Sequence, residues 1–242
     1  MFLRLSLFAS LVLSLVIPSY SSASSTLEEL KLARVSMFRA AISVISHRGE
    51  RIDQELRNEA NSQINSLKES LTRSINSDGL AQSLDSYATF LEDNLSYDPL
   101  EEDYPWEFNL NLSTLLRNLD NNIIKLEKTA LRNEGANHQL MENAVRLEYM
   151  AVRYLARSYT GELHTEAEGG YFEQDLGVLA KELTLALENH LDDSPQAIKA
   201  KRAWKFIEPR YSKYDLELAP FIVHRKSWQI SNLMVEQSKA AE

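Results

Sequence analysis

The chain contains no cysteine, and this single absence removes several classes of function. Thiol catalysis, thiolate metal sites, a disulfide scaffold and the acylated cysteine of a bacterial lipoprotein are all excluded. An exported domain below about 80 residues usually needs disulfides, but 242 residues can be stable on an apolar core alone. Glycine is scarce as well, seven residues where average composition gives about 7%. Five of the seven (Gly49, Gly79, Gly135, Gly161 and Gly169) sit where helix-length pieces stop or start. Convincing period-two alternation is missing, which argues against β-structure.

Enzyme signatures are lacking too. The sequence has no Gly-x-Ser-x-Gly elbow, no phosphate-binding glycine loop, no dinucleotide fingerprint, no His-Glu-x-x-His and no Ser-x-x-Lys. The reading is therefore non-enzymatic, with no cofactor.

What is present begins at the N-terminus. Met1-Phe2-Leu3-Arg4 is a short basic start, Leu5 to Ile17 is an almost unbroken apolar run, and Pro18 precedes a small, polar stretch. This is the layout of a secretory signal peptide over residues 1–23, with Ser21 and Ala23 at −3 and −1 of a cut near Ala23. The run has 13 residues, short of the roughly 20 of a bilayer-spanning helix. No later segment reads as a membrane span. A secreted or periplasmic location follows, and the lack of cysteine fits a bacterial periplasm best.

Without the leader, 25 basic residues stand against 35 acidic ones. Such a charge disfavours non-specific binding to nucleic acid or an anionic membrane. Residues 24–242 read as one all-α domain, an elongated antiparallel bundle of about six to seven helices, or as two packed sub-bundles joined by a link near 97–106. Each helix is expected to hide one apolar stripe. The clearest stripe is Ile52, Leu56, Ala60, Ile64, Leu67, Leu71 and Ile75, at spacings of four and three. Thr26 is the N-cap candidate of the first helix, and Ser194-Pro195 is a helix start with proline at the first helical position. Pro209 is expected to end that helix near Glu208, and Pro220 to delay or kink the last one.

Four groups of residues are candidate sites. The most basic stretch, Lys199 to Lys226, holds eight cationic residues against Glu208, Asp215 and Glu217. Arg202, Trp204, Arg210, Tyr211 and Lys213 within it combine cations with rings, as an anionic small ligand or acidic protein surface requires. The acidic link Asp98, Glu101, Glu102, Asp103, Tyr104 and Trp106 offers carboxylates and rings for a cation, with Trp106 otherwise expected to anchor the following helix. His138 with Glu142, and His164 with Glu168, have metal-compatible i, i+4 spacing, although capping or surface histidines explain them as well. Arg146, Arg153 and Arg157 lie on one helix face, opposite its apolar side, and are expected to be solvated, with Glu142 pairing Arg146.

The expected function is an exported, non-enzymatic binding module. Alternatives are an assembly accessory of the cell envelope that partners an envelope protein, or, less favoured, a metal-binding protein or metal-dependent enzyme.

Overall fold

The computed structural model describes residues 20–50, 54–74, 78–96, 105–131, 138–163, 174–213 and 216–240. Among them are eight helices and no strand: α1 (Tyr20–Glu50), α2 (Gln54–Ser74), α3 (Asp78–Ser96), α4 (Pro105–Leu131), α5 (Gln139–Tyr159), α6 (Leu176–His190), α7 (Pro195–Ser212) and α8 (Pro220–Ala240). The bundle is all-α as its periodicity requires. No helix among these residues is long and apolar enough to cross a membrane.

The count exceeds six to seven because the C-terminal part of the chain divides into three helices, with Pro195 opening α7 and Pro220 opening α8. Pro209 lies inside the last turn of α7, which runs on to Ser212, and the Lys213 N–H bonds the Pro209 carbonyl at 3.0 Å. So near a C-terminus proline removes only one helical hydrogen bond, and the helix passes through it. Pro220 opens α8, where a missing N–H costs nothing, and the Val223 N–H reaches back to Ala219. Ser194 caps α7 as its sequence predicts, accepting from the Ala197 N–H at 3.2 Å with Pro195 at the first helical position. Thr26 is not a cap, because α1 begins at Tyr20 and carries it in the helix interior.

The expectation of one stripe per helix holds for α2, where Ala60, Ile64, Leu67 and Leu71 are buried and Leu56 half-buried; Ile52 and Ile75 lie outside the described residues. It fails for α1 and α5. Every residue from Ala40 to His47 of α1, and from Leu147 to Val152 of α5, is buried. A helix wrapped on all sides belongs at the centre of a bundle. The two run parallel, since Lys31 meets Glu142, Arg39 meets Glu148 and Glu50 meets Tyr159. Helices α2, α3 and α4 pack around α1, whereas α6 and α8 pack on α5 and α7 closes over both of them.

Central helices carry polar residues into the core, and each finds partners on another helix. Arg34, 1% exposed, bonds both oxygens of the fully buried Asp120 on α4, at 2.7 and 3.4 Å. Its remaining nitrogen reaches Glu127 at 3.2 Å and Glu142 at 3.4 Å, and Lys31 joins the same two carboxylates. Burial pushes the Glu127 carboxyl above its usual range against the pull of Arg34 and Lys31. For Glu142 burial acts the same way, but those two cations outweigh it and hold the carboxyl below its usual range. A second knot joins α1, α5 and α8: Arg39 donates to Glu148 at 2.7 Å and to Asn232 at 2.6 Å, while the Ser231 hydroxyl also donates to Glu148.

The arginine stripe of α5 is covered, not solvated. Arg146 pairs with Glu182 of α6 at 3.0 Å, Arg153 donates to the Gln174 carbonyl at 2.6 Å, and Arg157 donates to the Arg210 carbonyl near the end of α7 at 3.0 Å. Of these, the Arg157 contact sits at the C-terminal turn of α7, where a cation is favourable on dipole as well as hydrogen-bond grounds. Glu142 hydrogen-bonds Lys31 and Arg34 in place of Arg146.

Candidate functional site

The end of α1, the start of α2, the end of α5 and the start of α8 converge on a cavity of about 770 Å³. Helix periodicity decides what faces it. On α2, Glu55, Leu56, Glu59 and Gln63 are spaced so that successive turns present one face, and on α8 Phe221, His224, Arg225 and Trp228 do the same. Ser46 and Glu50 come from α1, and Tyr159 from α5. Gly49 sits against Tyr159, where a Cβ would overlap the base of that side chain. Glycine is therefore required for this wall to close, and the Tyr159 hydroxyl then donates to Glu50. Burial, reinforced by that carboxylate, raises the Tyr159 phenol above its usual pKa.

Several polar groups in the cavity are not consumed by the fold. Ser46 is only 4% exposed, and its hydroxyl has no hydrogen-bond partner among the described residues. The Glu59 carboxylate and the Gln63 amide, both half-buried, likewise make no hydrogen bond or ion pair among them. Polar groups that line an opening and are not used by the fold are available to hydrogen-bond a ligand. Phe221, 64% exposed, and Trp228 add rings at the rim. Behind Trp228, Arg39 lies 5.6 Å from the ring centroid, tying this wall to the buried Arg39–Glu148 pair.

No protein family, curated protein or solved structure matches this chain.

His224 is the titratable group in that wall. Burial lowers its pKa; the Glu148 carboxylate of α5 and the Glu59 carboxylate of α2 pull upward, and Arg39 of α1 adds to the lowering. The folded imidazole is therefore neutral at physiological pH. An unfolded histidine takes its proton near pH 6.5, so the stabilising contribution is complete above that value and is lost as pH falls through the lower folded pKa. The unfolding free energy from urea titrations should decline over this window with a slope of at most one proton, about 1.4 kcal/mol per pH unit. His224→Gln should flatten that part of the profile, and an unchanged slope in the variant would remove His224 as its cause.

The residues singled out by sequence are dispersed. Trp204 and Tyr211 are core residues: the rings stack at 5.8 Å, the indole N–H donates to Thr184 at 2.9 Å and the phenol pairs with Ser227 at 2.7 Å. Arg202 and Lys213 are exposed. Arg210 is half-buried over the Phe206 ring and donates to the Glu217 carbonyl. These five form no common surface: two rings point into the core and the guanidinium of Arg210 is committed to backbone.

In the acidic link, Asp98, Glu101, Glu102, Asp103 and Tyr104 lie outside the described residues. Trp106 does not anchor α4; it is 57% exposed, and Phe108 does the anchoring by stacking on Phe90 at 5.6 Å beneath Arg48. His138 stands at the N-cap position of α5 without a side-chain capping bond, and Glu142 turns to Lys31. No group of three metal-type side chains converges among the described residues, and His164 and Glu168 lie outside them.

The cavity residues were hidden in the sequence because Glu55, Glu59 and Gln63 occupy what reads as the solvated face of α2. A usable signal did exist in α1. Lys31, Arg34 and Arg39 interrupt a segment with apolar residues on all faces, and a wholly buried helix obliges its cations to find carboxylates elsewhere.

Proposed function

We propose that the protein is a non-enzymatic binding module that holds a small organic ligand in the cavity between α1, α2, α5 and α8, and that it works outside the cytoplasm. The observation that carries this reading is the unpartnered set of Ser46, Glu59 and Gln63 around a 770 Å³ opening. Ligand pockets are about 300–1,000 Å³, mostly apolar, with a few convergent polar groups. Leu56, Tyr159, Phe221 and Trp228 supply the apolar part. The leader-like residues 1–23 support export. Binding is favoured over turnover because the sequence offers no catalytic signature.

The anionic-ligand version has less support than the cavity, since Arg202, Arg210 and Lys213 do not gather around an opening. A metal-dependent version is weaker still on the same ground. The assembly reading does have a specific observation behind it: Phe206, Leu216, Leu218, Phe221 and Ile222, close in sequence around the α7–α8 turn, are all exposed. Such apolar exposure is what an envelope partner would cover.

Thermal-shift screening of a metabolite panel tests the choice, because a ligand bound by the folded state raises apparent stability. A true cavity ligand should raise the melting temperature of the wild type and lose its effect in Gln63→Trp, which fills the opening without altering charge. Equal shifts in both proteins would move the site elsewhere. Silence across the panel would transfer the weight to the assembly reading.

A further inference from the structure

We infer that the cavity selects an organic cation, an ammonium or amidinium group attached to an apolar or aromatic body. This deepens the binding reading and rests on it. Among the described residues the charge balance is one-sided: Glu50, Glu55 and Glu59 face the opening, and Arg225 is the one fixed cation among those that line it. His224 does not redress the balance, because in the folded protein it is neutral at physiological pH.

The three carboxylates are not equivalent. Glu50 already accepts from the Tyr159 hydroxyl and is exposed. Glu59 is the one that is half-buried and free of hydrogen bonds and ion pairs among the described residues. A carboxylate partly removed from water gains more from a hydrogen-bonded cation than an exposed one does. Ser46, on the α1 wall of the same cavity and 4% exposed, is a second polar side chain without a hydrogen bond or ion pair among the described residues. Its hydroxyl can accept an N–H, and so can the carbonyl oxygen of Gln63.

The rest of the ligand is specified by the rim. Phe221 and Trp228 present ring surface to the opening, and rings favour both an apolar body and a cationic head over their faces. An anion would meet three carboxylates, and a neutral polyol would waste the rings. The acidic character of the whole chain, 35 acidic against 26 basic residues, adds a long-range field of the same sign.

Three probes of similar shape separate charge from shape: phenethylamine, phenethyl alcohol and hydrocinnamate. Binding is followed at pH 7.5 by tryptophan fluorescence in a Trp106→Phe background, which leaves Trp228 as the exposed indole. The amine should bind about tenfold more tightly than the alcohol, the scale of one charge-assisted hydrogen bond, and hydrocinnamate most weakly. Glu59→Gln should abolish the amine's advantage and leave the alcohol within about twofold of its starting affinity. Arg225→Gln, on an exposed side chain, should tighten the amine and leave the alcohol unchanged. Filling the opening by Gln63→Trp should weaken all three. If the alcohol or hydrocinnamate binds as well as the amine, or Arg225→Gln weakens the amine, the cation assignment falls while the cavity stands as a binding site. If no probe binds, or Gln63→Trp leaves every affinity unchanged, the cavity reading falls with it.

Discussion

Asp120→Ala should be the most damaging single substitution in the bundle, costing about 3–5 kcal/mol. The reason is what it leaves behind. Arg34 would remain buried with its two-point partner gone, and Glu127 and Glu142 already share its other nitrogen with Lys31. Domains of this size are stable by only about 5–15 kcal/mol, so the variant should unfold at a much lower urea concentration. Removing both charges is expected to be gentler. Arg34→Met with Asp120→Leu takes away the cation and the anion together, and an apolar pair of similar volume frequently equals or exceeds a buried ion pair in stability. Chemical denaturation of the two single variants and the double variant measures this. A double variant as unstable as the sum of the singles would mean that the charges stabilise the core as such, and a small effect of Asp120→Ala would mean that water relieves the orphaned guanidinium.

Trp204→Ala comes next, with an expected loss of about 3–5 kcal/mol, the usual cost of emptying a large aromatic site. Trp204 is 2% exposed and joins three helices: its indole N–H donates to Thr184 of α6, its ring stacks on Tyr211 within α7, and Tyr211 reaches Ser227 of α8. Tyr211 also meets Tyr154 of α5 edge-on at 5.5 Å. Trp204→Phe, which keeps a stacking ring but loses the hydrogen bond, should cost less. The same pair of variants discriminates a structural role from a binding one. Trp204→Phe should take up phenethylamine like the wild type, whereas a drop in affinity without a drop in stability would place Trp204 on a binding surface.

The two experiments bear on one architectural point. The parallel pair α1 and α5 forms the axis of the molecule, and the charged and aromatic knots fasten the outer helices to that axis. The cavity opens at the end of the same pair, where α2 leaves α1 and α8 arrives. Its Trp228 wall is backed by Arg39 and, through it, by the fully buried Glu148. Rigid support of this kind is what holds a ligand-contacting ring in place.

Local sequence was sufficient for the helices themselves. The stripe of α2, the Ser194-Pro195 start of α7 and the proline-delayed start of α8 each depend on residues within one or two turns of each other, and spacing alone reveals them. Arg34 and Asp120 stand 86 positions apart, Arg39 and Asn232 193 apart, so no periodicity connects them. The same is true of the cavity: Glu59, Ser46 and Trp228 occupy three helices and meet only because α1 and α5 are enclosed from every side. Period and capping are set by neighbours along the chain, whereas the solvated face of α2 became the wall of a pocket only when α8 came to lie opposite it.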